Sequence, residues 1–127
     1  MSTRCVINFG EGSQGREAKI YRHCDGYPDG EHGVVNCLRR FCDDVEAQTG
    51  DHRYGDPSYL AAKFVVWQAR ENASDPEKPL DFISLGVIKT NPGDIEYEYF
   101  VFLEDGHKRP SVRIRDIHGE KGGREEL

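Results

Sequence analysis

The chain has no long hydrophobic run. None of its apolar stretches approaches the roughly 20 residues needed to cross a bilayer, so no membrane-spanning helix is expected. A signal-peptide core is also missing, because Met1-Ser2-Thr3-Arg4 leads straight into Cys5-Val6-Ile7. These absences predict a soluble, cytoplasmic protein. Positive charge is in deficit: 17 Lys and Arg stand against 23 Asp and Glu, a net charge of −6. General nucleic-acid binding needs basic patches and is not expected, although a local cationic pocket remains open. An acidic chain can instead meet a basic protein surface.

Metal and nucleotide motifs are scarce too. There is no Cys-x-x-Cys and no His-x-x-x-His pair, so His23, Cys24, His32, Cys37 and Cys42 do not add up to a metal site, and none is expected. No Gly-x-x-x-x-Gly-Lys-Ser/Thr loop occurs. The glycine-rich run at 10–15 leads into a returning strand, so dinucleotide chemistry lacks support as well. No cofactor is expected. The four cysteines carry no sign of a secreted disulfide framework. Cys37 and Cys42 read as small buried residues of a helix.

What is present suffices for one domain. Six Phe, six Tyr and one Trp supply apolar material for a single core. The stretch Ile20 to Pro28 organises the rest. It begins as a strand with Ile20 and Tyr21 and ends in turn chemistry, with Gly26 free to take a positive φ and Pro28 fixed in φ.

Cys5 to Phe9 alternates as a strand and pairs with a returning strand, 17–23, across a long glycine-rich loop. Val34, Val35, Leu38, Phe41, Cys42 and Val45 recur at helical spacing, with Gly50 as the stop. Asp56-Pro57 opens a second helix, Asp as N-cap and Pro in the first turn. Its stripe is Leu60, Ala61, Phe64, Val65 and Trp67. Leu80 to Lys89 reads as a strand, and Asn91-Pro92-Gly93-Asp94 as a turn. In Ile95 to Leu103, Ile95, Tyr97, Tyr99, Val101 and Leu103 alternate with Glu96, Glu98, Phe100 and Phe102. Ser111 to Ile117 is the last strand. The expected fold is α+β, in the order β-β-α-α-β-β-β. One antiparallel sheet of about five strands carries both helices on one face. Residues 1–117 form the domain, and 118–127, without an apolar period, a disordered tail.

Within the organising stretch, His23, Asp25 and Tyr27 alternate by two. If extended, they share one face and can present donors and acceptors to a polar ligand. Equally, Asp25 can cap the turn through its own backbone while His23 bonds a carbonyl and Tyr27 packs. Arg4 and Arg22 lie beside this turn and suit phosphate or carboxylate. Arg113 and Arg115 suit it too, but can also pair with Glu96 and Glu98 across the final hairpin. A Cys24-His23-Asp25 triad fails on geometry, because neighbours in a strand point to opposite faces. No catalytic set is assigned.

Thr3-Arg4-Cys5-Val6-Ile7 and Tyr21-Arg22-His23-Cys24-Asp25-Gly26-Tyr27-Pro28 resemble a family of small phage and prophage proteins. These open with a Thr-Arg-Ser/Cys-x-Ile strand and continue through a Tyr-x-His-x-Asp-Gly-Tyr-Pro turn. The strand Glu96 to Phe102 fits the same pattern more loosely. Family members often carry Trp where Cys24 stands, which argues against Cys24 as an obligatory nucleophile. The resemblance implies an accessory role in the host cytoplasm.

Three functional expectations follow. The first is non-enzymatic binding of a small polar, nucleotide-like ligand at His23, Asp25, Tyr27, Arg4 and Arg22, with sequestration of a host-defence signal as the expected biological role. The second is an acidic module that blocks a host protein, using Asp43, Asp44, Glu46, Glu96 and Glu98 as surface charge. The third is an N-terminal-nucleophile amide hydrolase, because Cys5, Arg22 and Asp25 are similar to the start of those enzymes. It requires removal of Met1 to Arg4. Open edge strands also allow a homodimer.

Overall fold

The computed structural model describes residues 3–10, 17–81, 84–119 and 122–127. Among them the elements run β1 (Cys5–Phe9), β2 (Ala18–Arg22), α1 (Val34–Gln48), α2 (Pro57–Asn72), β3 (Leu85–Ile88), β4 (Tyr97–Phe102), β5 (Ser111–Asp116) and β6 (Gly123–Glu126). A short 3-10 turn, Pro79–Asp81, lies between α2 and β3. Most of the glycine-rich loop expected between β1 and β2, residues 11–16, lies outside the described residues.

The fold class is α+β with two helices, as the hydrophobic periods require. The sheet, however, is mixed and six-stranded, in the order β3-β2-β1-β4-β5-β6. At its centre β1 runs parallel to β4, with Cys5 opposite Tyr97 and Phe9 opposite Val101. The other ladders are antiparallel. Two expectations are therefore corrected. The sheet is not wholly antiparallel, and the tail expected over 118–127 contains a sixth strand. Gly123–Glu126 pairs with Ser111 to Ile114 although all four of its residues are exposed. An edge strand that buries nothing has no apolar alternation to reveal it.

Both helices pack on one face. Cys5, Ile7 and Phe9 of β1, Ile20 of β2, Tyr99 and Val101 of β4 and Val112 of β5 meet Val34, Leu38, Phe41 and Val45 of α1 and Leu60 and Phe64 of α2. The aromatic rings of Phe9 and Phe64 lie 5.4 Å apart, and those of Phe41 and Phe64 meet edge-on at 5.3 Å. Cys37 and Cys42 are buried in α1, as their position implies. Pro57 does open α2, but the Asp56 side chain makes no cap hydrogen bond. It pairs with Arg53 instead.

The other face is covered differently. β3 and β4 point the same way with β2 and β1 between them. Residues 89–96 must therefore cross two strands, where the turn signal at Asn91 to Asp94 suggested a tight return. Asn91 reaches Lys19 on β2 and Glu98 on β4, which places this strap over the helix-free face. Beneath it Val6, Asn8 and Glu98 are buried, as is Ile95 of the strap.

Candidate functional site

The organising bend is held by main-chain contacts. β2 ends at Arg22, and the His23 amide donates to the Ser84 carbonyl. Asp25 then takes a left-handed φ of 55°. Gly26 follows without a positive φ, contrary to expectation, and serves for close approach. A Cβ there would sit 2.8 Å from the Thr3 carbonyl oxygen and 2.9 Å from Cys5 Cβ. The Gly26 amide donates to that same Thr3 oxygen, and the buried Tyr99 hydroxyl donates to the Gly26 carbonyl at 2.6 Å. The carbonyls of Tyr27 and Pro28 accept from the amides of Val34 and Val35. The bend thus caps α1, whose N-cap residue Gly33 has no side chain to do so.

The five expected ligand residues separate into three groups. Arg22 lies on the helix side of β2 and is buried. Its Nε donates to the Cys24 carbonyl, Nη1 to Cys37 Sγ at 3.3 Å and Nη2 to the His32 carbonyl. Cys37 Sγ in turn donates to Gln68 Oε1. Arg22 therefore bolts the bend to both helices and is not a pocket residue. Burial pushes the Cys37 thiol up, and the Arg22 guanidinium partly offsets this.

Asp25 and Tyr27 form a pair of their own. The Tyr27 hydroxyl donates to Asp25 Oδ1 at 3.1 Å, and this bond raises the phenol above its ordinary value. The left-handed residue breaks the alternation that was to align His23, Asp25 and Tyr27. No hydrogen bond among the described residues joins this pair to His23.

Arg4 and His23 do come together, with Tyr21 as a third member that alternation alone did not single out. Arg4 Nε donates to His23 Nδ1 at 3.3 Å, and the Tyr21 hydroxyl lies 3.0 Å from the same nitrogen. Arg4 Nη1 pairs with Asp94 of the strap at 3.2 Å. A guanidinium can only donate, so Nδ1 is the accepting nitrogen, and the neutral ring carries its proton on Nε2. That N–H belongs to an exposed residue. Desolvation first, then the Asp94 charge, lifts the Tyr21 phenol above its ordinary value.

Comparison with protein-family models, with curated proteins and with solved structures finds no match. The chemistry of the site is therefore read from its geometry.

That geometry holds donors and an aromatic ring, and the nucleophile of the hydrolase reading stands apart from them. Cys5 is buried in β1, and burial pushes its thiol up to about 12. Two of the residues whose removal the hydrolase reading requires, Thr3 and Arg4, are structural. The Thr3 carbonyl anchors Gly26, and the Arg4 carbonyl accepts from the Glu96 amide. Among the described residues no three His, Cys, Asp or Glu side chains converge to hold a metal ion. No described helix is long and apolar enough to cross a membrane.

A second polar cluster lies under the strap and was legible only in part. Glu98 is buried and accepts from Asn8 Nδ2 at 3.0 Å, Asn91 Nδ2 at 2.8 Å and Arg115 Nη1 at 3.1 Å. Lys19 Nζ stands 3.5 Å away and donates to both Asn8 and Asn91. The Glu98–Arg115 pair is the expected cross-strand one. Arg113 instead lies over the Phe100 ring. Glu98 is thus no surface charge for an acidic interaction module. Of the other acids, Asp43 and Glu46 pair with Arg109, and Asp44 accepts from Trp67 Nε1.

Proposed function

We propose that the chain is a non-catalytic binding protein, of the accessory kind found in phages and prophages. It holds a small polar, nucleotide-like ligand without turning it over. The observation that carries this reading is the Arg4–Tyr21–His23 cluster. It combines a half-exposed guanidinium, an exposed imidazole whose accepting nitrogen is already engaged, and a phenol ring at one end of a rigid sheet. A guanidinium and an Nε2–H suit an anionic oxygen, and the Tyr21 ring offers a flat apolar surface. Withholding a signalling nucleotide of the host needs tight binding and no chemistry, which a guanidinium, an imidazole N–H and an aromatic ring suffice to supply.

A thermal-shift screen against nucleotides and cyclic nucleotides tests the reading. Ligand at about 100 times its Kd adds about 2.7 kcal/mol of stability, a rise of several degrees in Tm. Arg4→Gln and His23→Gln should each remove the rise while leaving the ligand-free Tm within a few degrees of the parent. If no nucleotide raises Tm, or if the rise survives both substitutions, the reading fails.

A further inference from the structure

The helices cover one face of the sheet, and the strap covers β2, β1 and the start of β4 on the other. No described element lies over the remainder of that second face, on β4, β5 and β6. Phe100 of β4 stands directly opposite Arg113 of β5, which stands directly opposite Arg124 of β6. Phe102 and Arg115 share the face by strand alternation. Arg113 Cζ lies 4.3 Å from the Phe100 ring centre and Arg124 Cζ 5.3 Å from that of Phe102.

The charge arrangement is unusual for an acidic chain. Like charges placed directly opposite across an antiparallel pair repel, yet Arg113 and Arg124 are so placed. Arg115 and Arg124 have carboxylate partners in Glu98 and Glu104 but remain 62% and 50% exposed. Arg113 has no ion-pair partner among the described residues. At the end of the β5–β6 hairpin the three arginines line a concavity of about 700 Å³ together with Asp116, the apolar Ile114 and Ile117, and three glycines.

We propose that this face is a platform for single-stranded nucleic acid. The two phenylalanines would stack bases, and the guanidiniums now lying over them would swing onto the adjoining phosphates. Aromatic rings on an open sheet take bases in this way, and every base has a face to stack. Phe100 and Phe102 are two residues apart on one strand, about 6.8 Å, roughly twice the rise per base of a duplex strand. An extended single strand meets that spacing and a duplex does not. The net charge of −6 keeps the interaction local and salt-sensitive. An acidic peptide would use the arginines but leave the two rings without a role. This platform shares no residue with the Arg4–Tyr21–His23 cluster, so either site can fail without the other.

The test is fluorescence anisotropy of the full chain with a labelled ten-nucleotide single strand, titrated across salt concentrations. Binding is expected in the micromolar range at about 50 mM salt. The double substitution Arg113→Gln/Arg124→Gln should weaken it at least tenfold and lower the salt slope by about 1.4, at about 0.7 per lost phosphate contact. Phe102→Leu should weaken it while circular dichroism shows the fold retained. Arg70→Gln, an exposed cation on α2, should change nothing. The proposal is overturned if the strand does not bind, or if Arg113→Gln/Arg124→Gln binds as the parent does. It is equally overturned if Arg70→Gln costs as much as that pair, or if a duplex, a mononucleotide or poly-glutamate binds as tightly as the strand.

Discussion

At Gly26 the absence of a single carbon holds the opening of the chain together. The Thr3 carbonyl and Cys5 Cβ approach within 3 Å of where a Cβ would stand; the first is main chain and the second is bonded directly to it, so neither can turn aside alone. Gly26→Ala should therefore push β1 away from the bend and cost about 1–3 kcal/mol, read as a lower urea midpoint. Tyr99→Phe removes the hydroxyl that donates to the Gly26 carbonyl and should cost about 1–3 kcal/mol by leaving that oxygen short of its partner. If both variants unfold at the parent's midpoint, the bend is not held as described. Arg22 makes the complementary point. Arginine is rarely buried, so its place beside the turn suggested a ligand residue. Its partners are carbonyls and a thiol contributed by the bend and by α1, and no spacing within its own strand announces them. Conversely, the Arg4–His23 contact joins residues that the hairpin register places near one another, and the expected pairing of β1 with β2 made it legible.

The elements divide along similar lines. The helices were readable because each buries one stripe at the helical period, and α1 buries all six residues of its pattern and Cys37 besides. Central strands were readable from alternation. Strand order was not, because Asn91-Pro92-Gly93-Asp94 carries turn chemistry that serves a crossing strap as well as a hairpin. The strap is also where an element-level prediction belongs. Asn91 donates to the buried Glu98 and accepts from Lys19, so it ties the strap to β4 and β2 together. Asn91→Ala leaves the carboxylate one donor short and should cost about 1–3 kcal/mol. Because the strap shelters Val6 and Asn8, amide exchange should accelerate in β1 and β4 more than in the α1–α2 layer. Equal acceleration in the helices would mean that the strap is not a separate covering layer.

For the whole molecule, these buried groups set a pH window of stability, and each edge has a direction. Burial alone would raise the Glu98 carboxyl. Hydrogen bonds from Asn91 and Asn8, the Lys19 charge and the Arg115 bond outweigh it and hold the group below its ordinary 4.5. Glu46 is also lowered, chiefly by the Tyr54 hydroxyl. A group depressed in the folded state stabilises fully above its unfolded value and loses that contribution as pH falls through the folded one. Stability should therefore decline with acid from about pH 4.5 downward, and Glu98→Gln should flatten that limb while lowering the neutral plateau. The alkaline edge has the opposite sign. Burial raises Cys5 to about 12 and Cys42 to about 11 from an ordinary 9.0. It is also the largest cause lifting Tyr99 and Tyr54 well above their ordinary 10.0. Groups raised in this way favour the folded state below the unfolded value, and the advantage drains as pH climbs toward the folded one. Unfolding should then set in above about pH 9 and be coupled to ionisation of the two buried tyrosines. Of the six tyrosines, Tyr54 and Tyr99 should become tyrosinate only as far-ultraviolet circular dichroism is lost, in a cooperative step at 295 nm. Six tyrosines titrating together in a chain that keeps its dichroism would mean that neither phenol is sealed in the core, and the packing of β4 against the bend would have to be redrawn.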